Sequence, residues 1–168
     1  WVSTIVGLYH IAGLLSATVA AVSIVVILLR RRGALPQVTE AQLHDLGKLL
    51  FGFSTMWAYL WFSQFLLIWY TNLPEETTHY VTRLQGSTSF LFVLNVVLNW
   101  ALPFVVLLRR PAKRSERILL WVSAVVLVGH WLDIHLQVVP AVVPVHLQGP
   151  LGIGVLDVAL LLGFGAAF

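Results

Sequence analysis

Five long apolar runs, separated by short polar connections, dominate this chain. They cover residues 4–29, 46–70, 86–108, 118–139 and 151–168. An uninterrupted apolar stretch of about 18 residues or more is long enough to cross a bilayer as a helix. Lipid offers no partner to a free backbone N–H or C=O, and the runs are far longer than barrel strands. The sequence therefore predicts an all-α, polytopic membrane protein with about five transmembrane helices in a single domain over 1–168. A soluble helical core needs polar outer faces. A chain that is 59% hydrophobic and 10% charged has too few polar residues to supply them.

The charges that remain fall in a pattern. Arg30, Arg31, Arg32 and Lys48 flank the first connection, and Arg109, Arg110, Lys113, Arg114 and Arg117 fill the third. Only Arg83 lies in the second, and the fourth has none. Basic residues on alternate connections follow the positive-inside rule. Connections 30–48 and 109–117 are expected on the cytoplasmic side, and 71–85 and 140–150 outside. The same placement accounts for a sequence pI near 9.7 through topology and lipid headgroups, and no nucleic-acid partner is expected. With no cysteine, disulfides, thiolate metal sites and cysteine-attached haem are excluded for these residues. No metal site is expected. Trp1 and the uncharged end at Phe168 read as two interior points of a longer polytopic chain.

Local signals set the helix ends. Gly33 and Pro36 stop the first helix. Thr39 with Gln42 three positions on forms a capping box for the second, and Asn72-Leu73-Pro74 ends it. Pro103 should kink the third. Pro140 and Pro144 should end the fourth.

Polar groups within the spans are the candidate functional residues, because an ionisable side chain in lipid needs a cavity or a partner. His130, Asp133 and Gln137 recur at i, i+3 and i+7 and share one helix face; His135 points elsewhere. At about 1.5 Å per residue, His130 lies roughly 20 Å from Arg117, in the outer half. Gln64 with Ser63, His10 and Asp157 also fall there, and Asn95 and Asn99, at i and i+4, stack on one face near mid-membrane. The inner half holds hydroxyls, Ser23, Ser54, Thr55 and Ser123, until His44, Asp45 and Lys48 at the cytoplasmic mouth. Three readings fit: a quinol pocket in which His and Asp accept protons, an outward-facing proton half-channel, or interhelical hydrogen bonds that fix packing. Haem between His10 and His130 has no motif behind it. In the outer connection, YTNLPEETTHY, Glu75, Glu76 and His79 are placed to dock a partner or collect protons. A solvated turn is the plainer alternative.

The stretch HDLGKLLFGFSTMWAYLWFSQFLLIWYTNLPEETTHY (44–80) and the later GHWLDIHLQVVP (129–140) resemble the second large membrane subunit of bacterial alternative complex III, a quinol:cytochrome c oxidoreductase. The matching motifs are DLGK at 45–48, FSQFLLIW at 62–69, NLPEE at 72–76 and WLD at 131–133, with His130 where the family pattern has Arg before WLD. The resemblance is weaker over 86–140 and poor over 1–40 and the last run. It implies a fold like the polysulfide reductase membrane subunit, about ten helices in two four-helix bundles, of which this chain is the C-terminal half. It implies a bacterial inner-membrane location and a proton path or quinone contact (menaquinol or ubiquinol). It places haem and iron–sulfur clusters in partners: c-type cytochromes, an iron–sulfur protein and a homologous quinol-binding subunit. The rival readings are a quinol-oxidising anchor of a molybdoenzyme-type complex and a stand-alone proton-coupled transporter.

Overall fold

A computed structural model describes residues 4–74, 77, 81, 88–142, 154, 159 and 163. Its elements are all helical, with no strand among the described residues. They are α1 (Thr4–Arg31), α2 (Glu40–Thr71), α3 (Thr88–Val96), a π-helical turn (Val97–Ala101), α4 (Leu102–Leu108), α5 (Arg110–Arg114) and α6 (Glu116–Val142). Three stretches are long and apolar enough to cross a membrane: Ile5–Arg31, Ser89–Leu108 and Glu116–Val139. The expected second span is helical throughout, but Trp57, Tyr59, Trp61, Ser63 and Gln64 make it less apolar than the other three. The fifth run lies almost wholly outside the described residues, as do Glu75, Glu76, His79 and Asp157.

The ends form as their residues dictate. Gly33 takes φ 76°, with Ala34 N–H bonded to Leu29 O and Gly33 N–H to Arg30 O, each at 3.0 Å. This is the Schellman pattern, which needs a residue without a Cβ penalty. Thr39 N–H donates to Gln42 Oε1 at 2.8 Å, and the capping box is present. Asn72 closes α2 in the left-handed region, its N–H on Ile68 O.

Two prolines leave a local mark on their helices. Pro103 has no N–H to give the carbonyl of Asn99, four residues back. Just before Pro103 the helix widens: Leu102 N–H reaches Val97 O, five residues back, in a π turn, one of the features that accompany helix kinks. The helix expected to end at Pro140 and Pro144 passes through Pro140 and is described as far as Val142, two residues before Pro144. One missing N–H removes a single bond from a 27-residue helix, a loss that a long helix tolerates.

α1 packs against α2 and α6, and the third helix (α3, the π turn and α4) packs against both α2 and α6. The buried face of α1 reads Tyr9, Ala12, Ser16, Ala20, Ser23 and Ile27. Small residues there let neighbouring backbones approach, the condition for van der Waals packing where lipid removes the hydrophobic drive. One apolar cluster, including Ile27, Leu43, Leu50, Leu107 and Leu119, fills the end near the basic connections. A second, Leu91, Leu132 and Leu136, fills the opposite end.

The basic connections lie together. Arg30 Nη1 sits 2.7 Å from Glu116 Oε1, and Arg31 Nε 3.5 Å from Glu116 Oε2, tying the end of α1 to the start of α6. Lys113 of α5 rests against Gly47 of α2, its Nζ 4.6 Å from the centre of the Phe51 ring.

Candidate functional site

Asp133 is buried in α6, away from the basic end, and its carboxylate is the acceptor for three helices. The Tyr9 hydroxyl of α1 donates to Oδ1 at 2.5 Å. The Asn95 amide of α3 donates to the same oxygen at 2.8 Å. Gln137, one turn on in α6, donates to Oδ2 at 3.1 Å. An ionised carboxylate only accepts, and all three partners present a proton to it. Asn99 extends the cluster: its Nδ2 donates to Asn95 Oδ1 at 2.6 Å and to the Asn95 carbonyl at 3.0 Å.

The π turn positions Asn99. Gly129 of α6 allows its approach, since a Cβ at that position would stand 2.7 Å from Asn99 Oδ1. Asn99 Oδ1 is itself buried without a hydrogen-bond partner.

His130 is buried one turn before Asp133. Its ring meets Trp57 of α2 edge to face at 5.8 Å, and Trp57 in turn packs on Tyr9 at 5.7 Å. His130 Nε2 is buried with no hydrogen-bond partner, and the buried Trp57 Nε1 is directed to Asp133 at longer range than a close hydrogen bond. A buried imidazole nitrogen without a hydrogen-bond partner thus stands one turn from Asp133, its ring across Trp57 from Tyr9.

No protein-family model and no curated protein matches the chain.

The sequence candidates divide accordingly. Asp133, Gln137, Asn95 and Asn99 join in one hydrogen-bonded cluster, with His130 adjoining it. His10 is exposed and outside the hydrogen bonds of the cluster, with its charge within electrostatic reach of Asp133, while Tyr9 faces inward. Gln64 is buried and Ser63 half-buried further along α2. His135 is also buried and stacks on Trp131 at 5.6 Å, off the Asp133 face. Of the inner hydroxyls, Ser23 and Thr55 donate to carbonyls of their own helices, Val19 O and Phe51 O. Ser54 meets Ser16 across α1 and α2 at 3.3 Å. At the basic end, Lys48 pairs with Asp45 at 2.6 Å. The Lys48 hydrogen bond and charge hold the Asp45 carboxyl below its usual range. Partial burial lowers His44, and the charges of Lys48, Arg114 and Lys113 lower it further.

Sequence reasoning missed Tyr9, Trp57 and Gly129. Tyr9 carried a signal: it begins the small-residue face continued by Ala12, Ser16, Ala20 and Ser23, whereas His10 lies about 100° away round the helix.

Proposed function

We propose that this chain is an integral membrane subunit of a quinol:acceptor oxidoreductase of the alternative complex III kind, with Asp133 as its proton-handling group. The buried carboxylate held by Tyr9, Asn95 and Gln137 carries the reading. A carboxylate inside a membrane domain marks a functional site by default, and this one has an unpartnered histidine nitrogen one turn away. A proton reaching Asp133 neutralises it, and the Tyr9 hydroxyl can then turn from donor to acceptor. His130 stands one turn before Asp133 on α6.

In this reading the four long helices form one bundle, and residues 151–168 supply a fifth span. The membrane is a bacterial inner membrane with the Arg30–Glu116 end in the cytoplasm. A groove of about 430 Å³ lined by Thr55, Tyr59, Trp61, Phe62, Val96 and Trp100 offers an apolar, aromatic surface suited to an isoprenoid quinol tail. Glu75 and Glu76, in the outer connection, serve partner docking or proton entry. The redox centres belong to the cytochrome and iron–sulfur partners.

Purification of the tagged, full-length protein from its native membrane tests the assembly. The expected result is retention of haem-staining c-type cytochromes together with quinol:acceptor activity. A chain that purifies alone, stable and free of haem partners, supports a transporter instead. Orientation has its own test. A cysteine at exposed Gln37, in a chain with none, should resist a membrane-impermeant thiol reagent in intact spheroplasts. Ready labelling there contradicts a cytoplasmic first connection.

A further inference from the structure

The basic end carries more charge than its own contacts use. Of the ten basic residues in the chain, all but Arg83 lie at this end, against three acids, Glu40, Asp45 and Glu116. Asp45 is taken by Lys48, and Glu116 by Arg30 and Arg31. Arg109, Arg110, Arg114 and Arg117 are exposed and form no ion pair among the described residues. Each span end beneath them is apolar and exposed. Val105 and Leu108, 67% and 60% exposed, precede Arg109 and Arg110 within a turn. Trp121, 71% exposed, follows Arg117 at i+4 on the same helix face. The span Ser89–Leu108 stops where Arg109 begins, and Glu116–Val139 starts beside Arg117. α5, which joins the two, is seated on α2 by buried Ala112 and by Lys113 over Phe51. Its arginines are therefore held at a fixed level relative to the spans.

We propose that Arg109, Arg110, Arg114 and Arg117 bind the phosphate headgroup of an anionic phospholipid, whose acyl chains lie along Val105, Leu108 and Trp121. Guanidinium groups match phosphate oxygens in bidentate geometry. An unneutralised cationic collar directly above exposed apolar side chains fits a ligand that is anionic at one end and apolar at the other. A soluble acidic protein would use the charge and leave the apolar surface unmatched. The inference rests on the membrane placement proposed above but not on Asp133 or on quinol chemistry.

The test uses the full chain in nanodiscs of mixed phosphatidylglycerol and phosphatidylcholine, with retained lipid counted by native mass spectrometry after detergent transfer. Wild type should retain phosphatidylglycerol over phosphatidylcholine. Arg110→Gln with Arg114→Gln should cut that preference by about fivefold or more, since each removes one cation facing the anionic headgroups. Seven basic residues remain at this end in the double variant, which preserves insertion and orientation. Inorganic phosphate at tens of millimolar should leave retention unchanged. Equal retention of both lipids by wild type, an unchanged preference in the double variant, or displacement by inorganic phosphate alone would each overturn the proposal.

Discussion

Tyr9 and Asp133, 124 positions apart in sequence, meet through a 2.5 Å hydrogen bond that joins the first helix to the last one described. The contact gives α1 a polar anchor at the end opposite the Arg30–Glu116 pair. α1 and α6 are thus tied at both ends, by an ion pair at one and a buried hydrogen bond at the other.

Removing the hydroxyl should therefore be costly. Tyr9→Phe leaves a buried carboxylate short of one donor, a loss of about 1.5–3 kcal/mol for a hydrogen bond to a charged group. His10→Ala, one residue on but exposed, should change stability by less than about 0.5 kcal/mol. Unfolding of both variants in detergent checks the contrast. Equal effects at the two positions would mean that Tyr9 is not the inward-facing residue.

A pair of glycines gives a steric version of the same test. A Cβ at Gly129 would meet Asn99 Oδ1 at 2.7 Å, whereas one at Gly52 meets nothing within 4 Å. Gly129→Ala should displace Asn99 and destabilise the chain by about 1–3 kcal/mol. Gly52→Ala should be neutral or stabilising, by up to about 1 kcal/mol, since alanine restricts the unfolded chain. Thermal unfolding of the two variants side by side decides it.

The polar cluster was partly legible in the sequence. Spacings of three, four and seven put His130, Asp133 and Gln137 on one face of α6 and stacked Asn95 under Asn99, because helical period alone fixes which residues share a face. Which residue of another helix meets that face depends on tertiary packing, and charge is a poor guide to it. His10 attracted attention as an ionisable residue, yet the small-residue stripe of α1 turns Tyr9 inward. The prolines show the same limit. Pro103 announced a disturbance, but not that it would sit beside a π turn at Val97–Ala101. Pro140 and Pro144 together were expected to end a helix that is described as far as Val142, between the two.

The basic end should respond to acid. Burial and three neighbouring cations lower the His44 pKa, so the folded state disfavours its protonation. The unfolded state then binds more protons between the two pKa values. The His44 contribution to stability is present above its ordinary pKa of about 6.5 and is lost as pH falls below it. Asp45, also lowered, acts with the same sign at more acidic pH. NMR titration of ring-labelled histidine should show His44 titrating below the ordinary value, and Lys113→Gln should move it upward. A His44 midpoint at or above 6.5 would contradict this arrangement of charges.

The most direct test of the account is Asp133→Asn in the purified complex, reconstituted into vesicles. Asparagine keeps the size of the side chain and an acceptor for Tyr9 and Asn95, and Gln137 can turn its amide to suit, but the group no longer ionises. The account predicts normal assembly with the cytochrome partners and a severalfold fall in proton release coupled to quinol oxidation. Asp133→Leu, which leaves Tyr9 and Asn95 without their acceptor, should also impair assembly. Wild-type quinol oxidation and proton release in Asp133→Asn, with assembly lost only in Asp133→Leu, would contradict the account and leave Asp133 as a packing residue.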